Sequence, residues 1–426
     1  MQSGERQPIG RQGDGWRQLY RSQRLVRIAI ILLPLVMLGG WLVLRLSHGP
    51  TMQALHSFEL PQDDTHAVHC EVSGSGPVML YRYFDSVFIY DPASANCAIC
   101  PDYPDFECSI PASVSPSGMA YMLSTQLVAL ENDGTIRWRF ASDNYGFRAV
   151  VATPERVYAT DHGNALYALD HDGQLLWKFD QGWETDCGGC TGWEDIPLAV
   201  GRDGSAVYET RSYMGGSAPR IVAVSPDGEL AWRINYGSGN TPSLLSSGLV
   251  GDYVLTLFRD PANNWSVTAR DWQGRKLWVE PSDFVYGFRS VRQLEDYTLL
   301  DTEEGIVCME HDGTVRWQLA DPQNRFGLPC VLPNGRLLAT ERDSSSLLDW
   351  LGDWLPDYDI RNSSSLGSIF GNANSYNLAV MSKQGRVLRR LRLPLEYPAT
   401  PVYCDAQEQV VVANGRTMLV LRASEI

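Results

Sequence analysis

Cysteine supplies the most reactive side chains in this sequence, and two pairs stand at C-x-x-C spacing: Cys97 with Cys100, and Cys187 with Cys190. That spacing serves three chemistries: a redox dithiol that exchanges with a client, half of a four-thiolate zinc site, or a local disulfide that staples a loop. Neither pair stands in a strand–helix context of the thioredoxin kind. Glu184 and Asp186 beside the second pair would raise a thiol pKa, whereas a reactive thiolate needs it lowered. The four are therefore read as candidate disulfide staples, with zinc and redox exchange as the alternatives. Nine cysteines in all leave at least one without an intramolecular partner.

Other chemistry is sparse. His69 and Cys70 fall on opposite faces of any strand that holds them, which argues against a metal site with His66. His171 and His311 occupy equivalent turn positions of a repeat. No glycine-rich phosphate loop, G-x-S-x-G elbow or H-E-x-x-H occurs, and no spacing singles out an acid/base pair. The expectation is no catalytic residue, no metal and no cofactor. Segment 343–376 is the remaining candidate. Leu347, Trp350, Leu351 and Trp354 recur at helical spacing on one face, which suits either partner docking or capping of the segment's own sheet.

The elements that must position these residues are set by a repeat. Five segments align without gaps: QLVALENDGTIRWRF from Gln126, ALYALDHDGQLLWKF from Ala165, RIVAVSPDGELAWRI from Arg220, SVTARDWQGRKLWVE from Ser266 and GIVCMEHDGTVRWQL from Gly305. Each has a glycine (Gly134, Gly173, Gly228, Gly274, Gly313) and, four residues on, a tryptophan (Trp138, Trp177, Trp232, Trp278, Trp317). A sixth copy from Asn377 keeps Gly385 but has Arg389 in the tryptophan's place. Glycine spacings of 39, 55, 46, 39 and 72 residues fit propeller blades of four strands with inserts. Each copy reads as a β-hairpin turning at its glycine. Five residues before the glycine stands a modest side chain (Ala129, Ala168, Ala223, Ala269, Cys308, Val380), on which the tryptophan of a neighbouring blade is expected to pack. Two less regular units flank the six copies. The last lacks a fourth strand, so HSFEL (His56–Leu60) is expected to complete it and seal the ring. The predicted fold is all-β: an eight-bladed propeller of four-stranded antiparallel blades over residues 56–426, with seven blades as the alternative.

Ahead of the propeller, residues 28–44 form an uncharged run bracketed by Arg27 and Arg45. With its flanks it predicts a single transmembrane signal-anchor helix at 28–46, followed by a short linker at 47–55. Six arginines precede the run and one closely follows, so residues 1–27 are expected in the cytoplasm and the propeller outside. The segment 1–48 carries a net +5, which leaves −20 of the chain's −15 total on the remainder. Such an acidic domain is unsuited to nucleic acid or anionic lipid.

The pattern A-x-D-x-D-G-x-x-x-W, clearest at Ala168, Asp170, Asp172, Gly173 and Trp177, resembles the PQQ-type repeat of quinoprotein alcohol dehydrogenase-like propellers. The enzymatic branch of that family binds pyrroloquinoline quinone and calcium and often carries adjacent cysteines, which are missing here. The lean units are more similar to the non-enzymatic branch, which includes the propeller lipoprotein of outer-membrane barrel assembly. Together with the expected membrane helix, which departs from that lipoprotein's tether, the resemblance implies an extracytoplasmic, non-catalytic scaffold for an envelope protein partner, with a quinone-dependent oxidoreductase or a small-ligand sensor as alternatives.

Overall fold

The apolar runs of this chain condense into short strands, each paired antiparallel with the next in sequence. The computed structural model describes residues 54–426 apart from 60–67, 73–77, 83–86, 100–109, 116–117, 124, 145, 181–196, 211–219, 236–242, 247, 260–263, 282–287, 295, 303, 322–325, 343–375, 394–401, 405–407 and 414–416. The expected membrane helix at 28–46 and the docking residues Leu347, Trp350, Leu351 and Trp354 lie outside the described residues. No helix among the described residues is long and apolar enough to cross a membrane.

Described strands form eight sheets. Sheet 1 runs from Val68–Val72 to Asn96–Ile99, sheet 2 from Ile110–Val114 to Ile136–Ala141, and sheet 3 from Phe147–Ala152 to Leu175–Phe179. Sheet 4 runs from Leu198–Val200 to Leu230–Asn235, sheet 5 from Ser243–Leu244 to Lys276–Pro281, and sheet 6 from Phe288–Gln293 to Val315–Ala320. Sheet 7 comprises Cys330–Val331, Leu337–Arg342, Tyr376–Met381 and Val387–Leu393. Sheet 8 takes three strands from the end of the chain, Val402–Cys404, Gln409–Ala413 and Thr417–Arg422. His56–Glu59 supplies its fourth, pairing His56 with Val420 and Glu59 with Thr417.

Burial shows why these sequences alternate as they do. Second and third strands are covered on both faces by neighbouring sheets, so Ala120–Leu123 and Leu166–Leu169 are buried throughout. Outer strands such as Ile136–Ala141 alternate between exposed and half-buried. Apolar clusters bridge sheets 2 and 3, 3 and 4, 4 and 5, 5 and 6, 6 and 7, 7 and 8, and 8 and 1. The first strands of sheets 1 and 2 also lie side by side, so the sheets follow one another around a closed ring. This is a β-propeller of four-stranded antiparallel sheets.

Sheet 4 carries one addition. Gly248–Leu249, from the connection between the first two strands of sheet 5, pairs parallel with Leu198–Val200 and so adds a fifth strand to the innermost edge. Trp272 holds that connection. Its indole N–H donates to the Gly251 carbonyl at 2.9 Å, and the Val250 amide donates to Val200 at 2.9 Å.

Candidate functional site

Each repeat hairpin turns on an aspartate or serine and a glycine. In sheet 3 the Asp170 carboxylate accepts the amides of Asp172 and Gln174, at 2.9 and 2.8 Å, and Gly173 sits at φ +82°. A left-handed residue at that point bulges the returning strand, and only glycine adopts it without strain. The ladder shifts register there, between Ala168 and Leu169.

The tryptophan's partner corrects the expectation from sequence. The small-residue column is its cross-strand neighbour within the same sheet, as Ala168 opposite Trp177 and Ala269 opposite Trp278. The indole instead reaches forward to the next sheet's turn. Trp138, Trp177, Trp232, Trp278 and Trp317 donate their indole N–H to the carbonyls of His171, Pro226, Trp272, His311 and Lys383, at 2.6–2.9 Å. Each acceptor lies two residues before that sheet's glycine, and the ring covers the glycine itself. A Cβ at Gly173, Gly228, Gly274 or Gly313 would fall 2.7–2.8 Å from the indole, and at Gly385 it would meet Trp317 more closely still. Gly134 has the same turn geometry, at φ +82°. One joint is thus repeated five times, which gives the tryptophans a packing duty.

Arg389 explains its own departure from the pattern. Sheet 8 takes its outer strand from the start of the propeller, so it has no returning hairpin whose glycine could receive an indole. A short 3-10 turn, Ala423–Glu425, stands there instead. The Arg389 guanidinium donates to the carbonyl oxygens of Glu425 and Ile426 at 2.8 and 2.9 Å.

The two faces of the ring differ. On one, tight turns join first to second strands and third to outer strands; the connection carrying Gly248–Leu249 is the longest of these. The other face bears the outer-to-first and second-to-third connections. Segments 100–109, 181–196, 211–219 and 343–375 all depart from strand ends on this second face. Cys100, Cys187 and Cys190 fall in these segments, outside the described residues, as do the docking residues.

Buried carboxylates anchor the connections on that face. Asp161 accepts the Asn144 amide at 2.7 Å, the Ala165 backbone N–H at 2.8 Å and the Tyr167 hydroxyl at 2.9 Å. Glu341, 4% exposed, receives a forked pair from Arg390 at 2.6 and 2.9 Å, two residues before segment 343–375 begins. This fork, a geometry that adds both energy and direction, braces the root of the insertion.

Next to Asp161 lies a group that reading the sequence missed. Buried Arg148 donates Nε–H to Nδ1 of His162 at 3.0 Å, so that nitrogen carries no proton. Burial, then the guanidinium charge, push the His162 pKa down to about 4. The signal available in the sequence was the repeated Tyr-Gly-Phe-Arg at 145–148 and 286–289. Because the unfolded histidine protonates near 6.5, this site's stabilisation is complete above that pH and is lost as pH falls from about 6.5 towards 4. Unfolding midpoints followed from pH 7 to 4.5 should fall less steeply in His162→Gln than in the parent. The difference should stay below the ~1.4 kcal/mol per pH unit of one fully titrating group, because the ring is partly solvated.

Cys97 is a free thiol, so the staple expected between it and Cys100 is not formed. Its side chain packs into the cluster between sheets 8 and 1, and burial pushes its pKa up to about 11. Cys308 and Cys330 are buried free thiols, raised by desolvation to about 12 and about 11, which makes them poor nucleophiles. His171 accepts the Tyr121 hydroxyl at Nδ1 (2.6 Å) and directs Nε2–H to the Pro154 carbonyl at 3.1 Å, a turn fitting. Among the described residues no group of three or more His, Cys, Asp or Glu is placed to hold a metal ion.

A family model described as outer membrane protein assembly factor BamB matches residues 109–281, which span sheets 2 to 5. No curated protein matches. Among solved structures, BamB from Moraxella catarrhalis is 14% identical, with 87% of this chain and 98% of that one covered and a TM-score of 0.48. A streptogramin B lyase is 13% identical, with 86% and 96% covered and a TM-score of 0.46. The computationally designed Ika8 protein is 10% identical, with 88% and 100% covered; its TM-score of 0.57 marks a shared fold.

Proposed function

We propose that this PQQ-like, BamB-like propeller is a non-catalytic scaffold that recruits a protein partner in the cell envelope. Its ring is read as eight blades, one for each sheet, tethered by a membrane helix at 28–46 with residues 1–27 in the cytoplasm. The observation that carries the reading is the contrast between the two faces. One five-times-repeated joint supports a ring in which segments 100–109, 181–196, 211–219 and 343–375 all leave from strand ends on one face, with Glu341 and Arg390 paired beside the last of them. A rigid frame presenting variable loops on one side suits recognition. The family match to an outer membrane assembly factor supports an envelope role.

Crosslinking the full-length protein in native membranes, followed by mass spectrometry, should return one consistent envelope protein. A variant lacking residues 344–375 should lose most of it while keeping the parent's thermal unfolding. Recovery of no consistent partner would remove the scaffold reading. Undiminished capture by the deletion variant would remove the insertion from the interface.

A further inference from the structure

The outer hairpin of sheet 7 carries the opposite charge to the turns of sheets 2, 3, 4 and 6. The turns of sheets 2, 3, 4 and 6 read Glu-Asn-Asp from Glu131, Asp-His-Asp from Asp170, Pro-Asp-Gly-Glu from Pro226 and Glu-His-Asp from Glu310, each with two carboxylates. The turn of sheet 7 reads Ser-Lys-Gln-Gly-Arg from Ser382, with two cations and no acid. The strand that follows, Val387–Leu393, adds Arg389, Arg390 and Arg392. Residues 376–393 thus hold five cations and no carboxylate in a chain of net charge −15.

Two of these five already have work within the fold, Arg389 at the chain's last carbonyls and Arg390 on Glu341. Lys383, Arg386 and Arg392 remain, the Lys383 chain leaning over the turn at Gly335, and Leu388 among them is 52% exposed. Val387–Leu393 is the last strand of its sheet, paired with Tyr376–Met381 on one side. Such an edge offers a row of backbone groups to another strand, while its cations repel a second copy of itself.

We infer that the outer edge of sheet 7 docks an extended, acidic segment of a partner protein as an added strand, through Lys383, Arg386, Arg392 and Leu388. Carboxylates of such a segment meet these cations while its backbone extends the sheet. This inference rests on the scaffold reading and names the chemistry of one partner segment.

The test uses full-length protein in non-ionic detergent and a fluorescein-labelled ten-residue peptide alternating Glu and Val, with a Gln-for-Glu peptide as control. The Glu peptide should bind, weaken as salt is raised, and protect amides of 387–393 from hydrogen exchange. Lys383→Glu/Arg386→Glu/Arg392→Glu should weaken binding by about tenfold or more, three exposed charge contacts at up to ~1 kcal/mol each. Arg139→Glu/Arg233→Glu, on the outer strands of sheets 2 and 4, should leave it within about twofold. Failure of the Glu peptide to bind, equal binding of the Gln peptide, binding without protection of 387–393, or indifference to the triple change would each overturn the inference. So would an inert peptide with capture by phosphatidylglycerol vesicles, which would make the edge a lipid contact. A partner crosslinked equally by the triple variant counts against this edge alone. Peptide binding with no partner crosslinked in membranes counts against the scaffold alone.

Discussion

Gly313→Ala should destabilise the propeller by about 2–5 kcal/mol, read as a fall in the urea or thermal unfolding midpoint. Two costs add. At φ +90° an alanine pays roughly 1–2 kcal/mol for the left-handed backbone. Its Cβ would also fall 2.7 Å from the Trp278 indole, and overpacking of that kind costs about 1–3 kcal/mol. The two can be separated. In a Trp278→Ala background the steric part disappears, so Gly313→Ala should then cost only the backbone share. A double-mutant cycle showing no coupling would mean that the indole does not lie on the next sheet's turn.

Removal of the closing strand should have the second large effect. Deleting His56–Glu59 takes away the fourth strand of sheet 8 and the tilted contact of Phe58 with Tyr90, at 5.7 Å between ring centroids. Met418 and Val420, fully buried beside that strand, lose cover. The lost ladder bonds and apolar burial together are on the order of 5 kcal/mol. The opened ring would also present an unpaired edge of Thr417–Arg422, so the variant should form oligomers as well as melt earlier. Light scattering and calorimetry measure both. A monomeric variant with an unchanged midpoint would show that the ring does not depend on this closure.

The sequence was most legible where the interactions are local. Hairpins at Gly173 or Gly313 could be read because the turn, the bulge and the returning strand all lie within a dozen residues, and because left-handed backbone demands glycine. The alternation in Ile136–Ala141 likewise reports one face against sheets and one against solvent. Even closure by His56–Glu59 followed from the shortage of a strand at the other end.

Contacts between sheets were not legible, since they join residues dozens of positions apart through packing direction. The cross-strand neighbour Ala168 lies nine residues from Trp177, whereas the turn that the indole covers, at Pro226 to Gly228, belongs to the following sheet. Spacing alone likewise cannot say whether the Cys97 thiol faces its C-x-x-C partner or an apolar joint. Arg148 on His162, and Arg390 on Glu341, depend on side-chain directions fixed by a bulge and by antiparallel register.

What the residues determined unaided is the module: a glycine-turned hairpin bearing an indole, its number of copies, and the unusual charge of the copy around Gly385. Tertiary structure alone decided which turn each indole covers, why Arg389 replaces one, and from which face the long segments depart. The division has a physical cause. Backbone conformation is set by neighbours in sequence, while burial and partner choice are set by whatever the closed ring brings alongside.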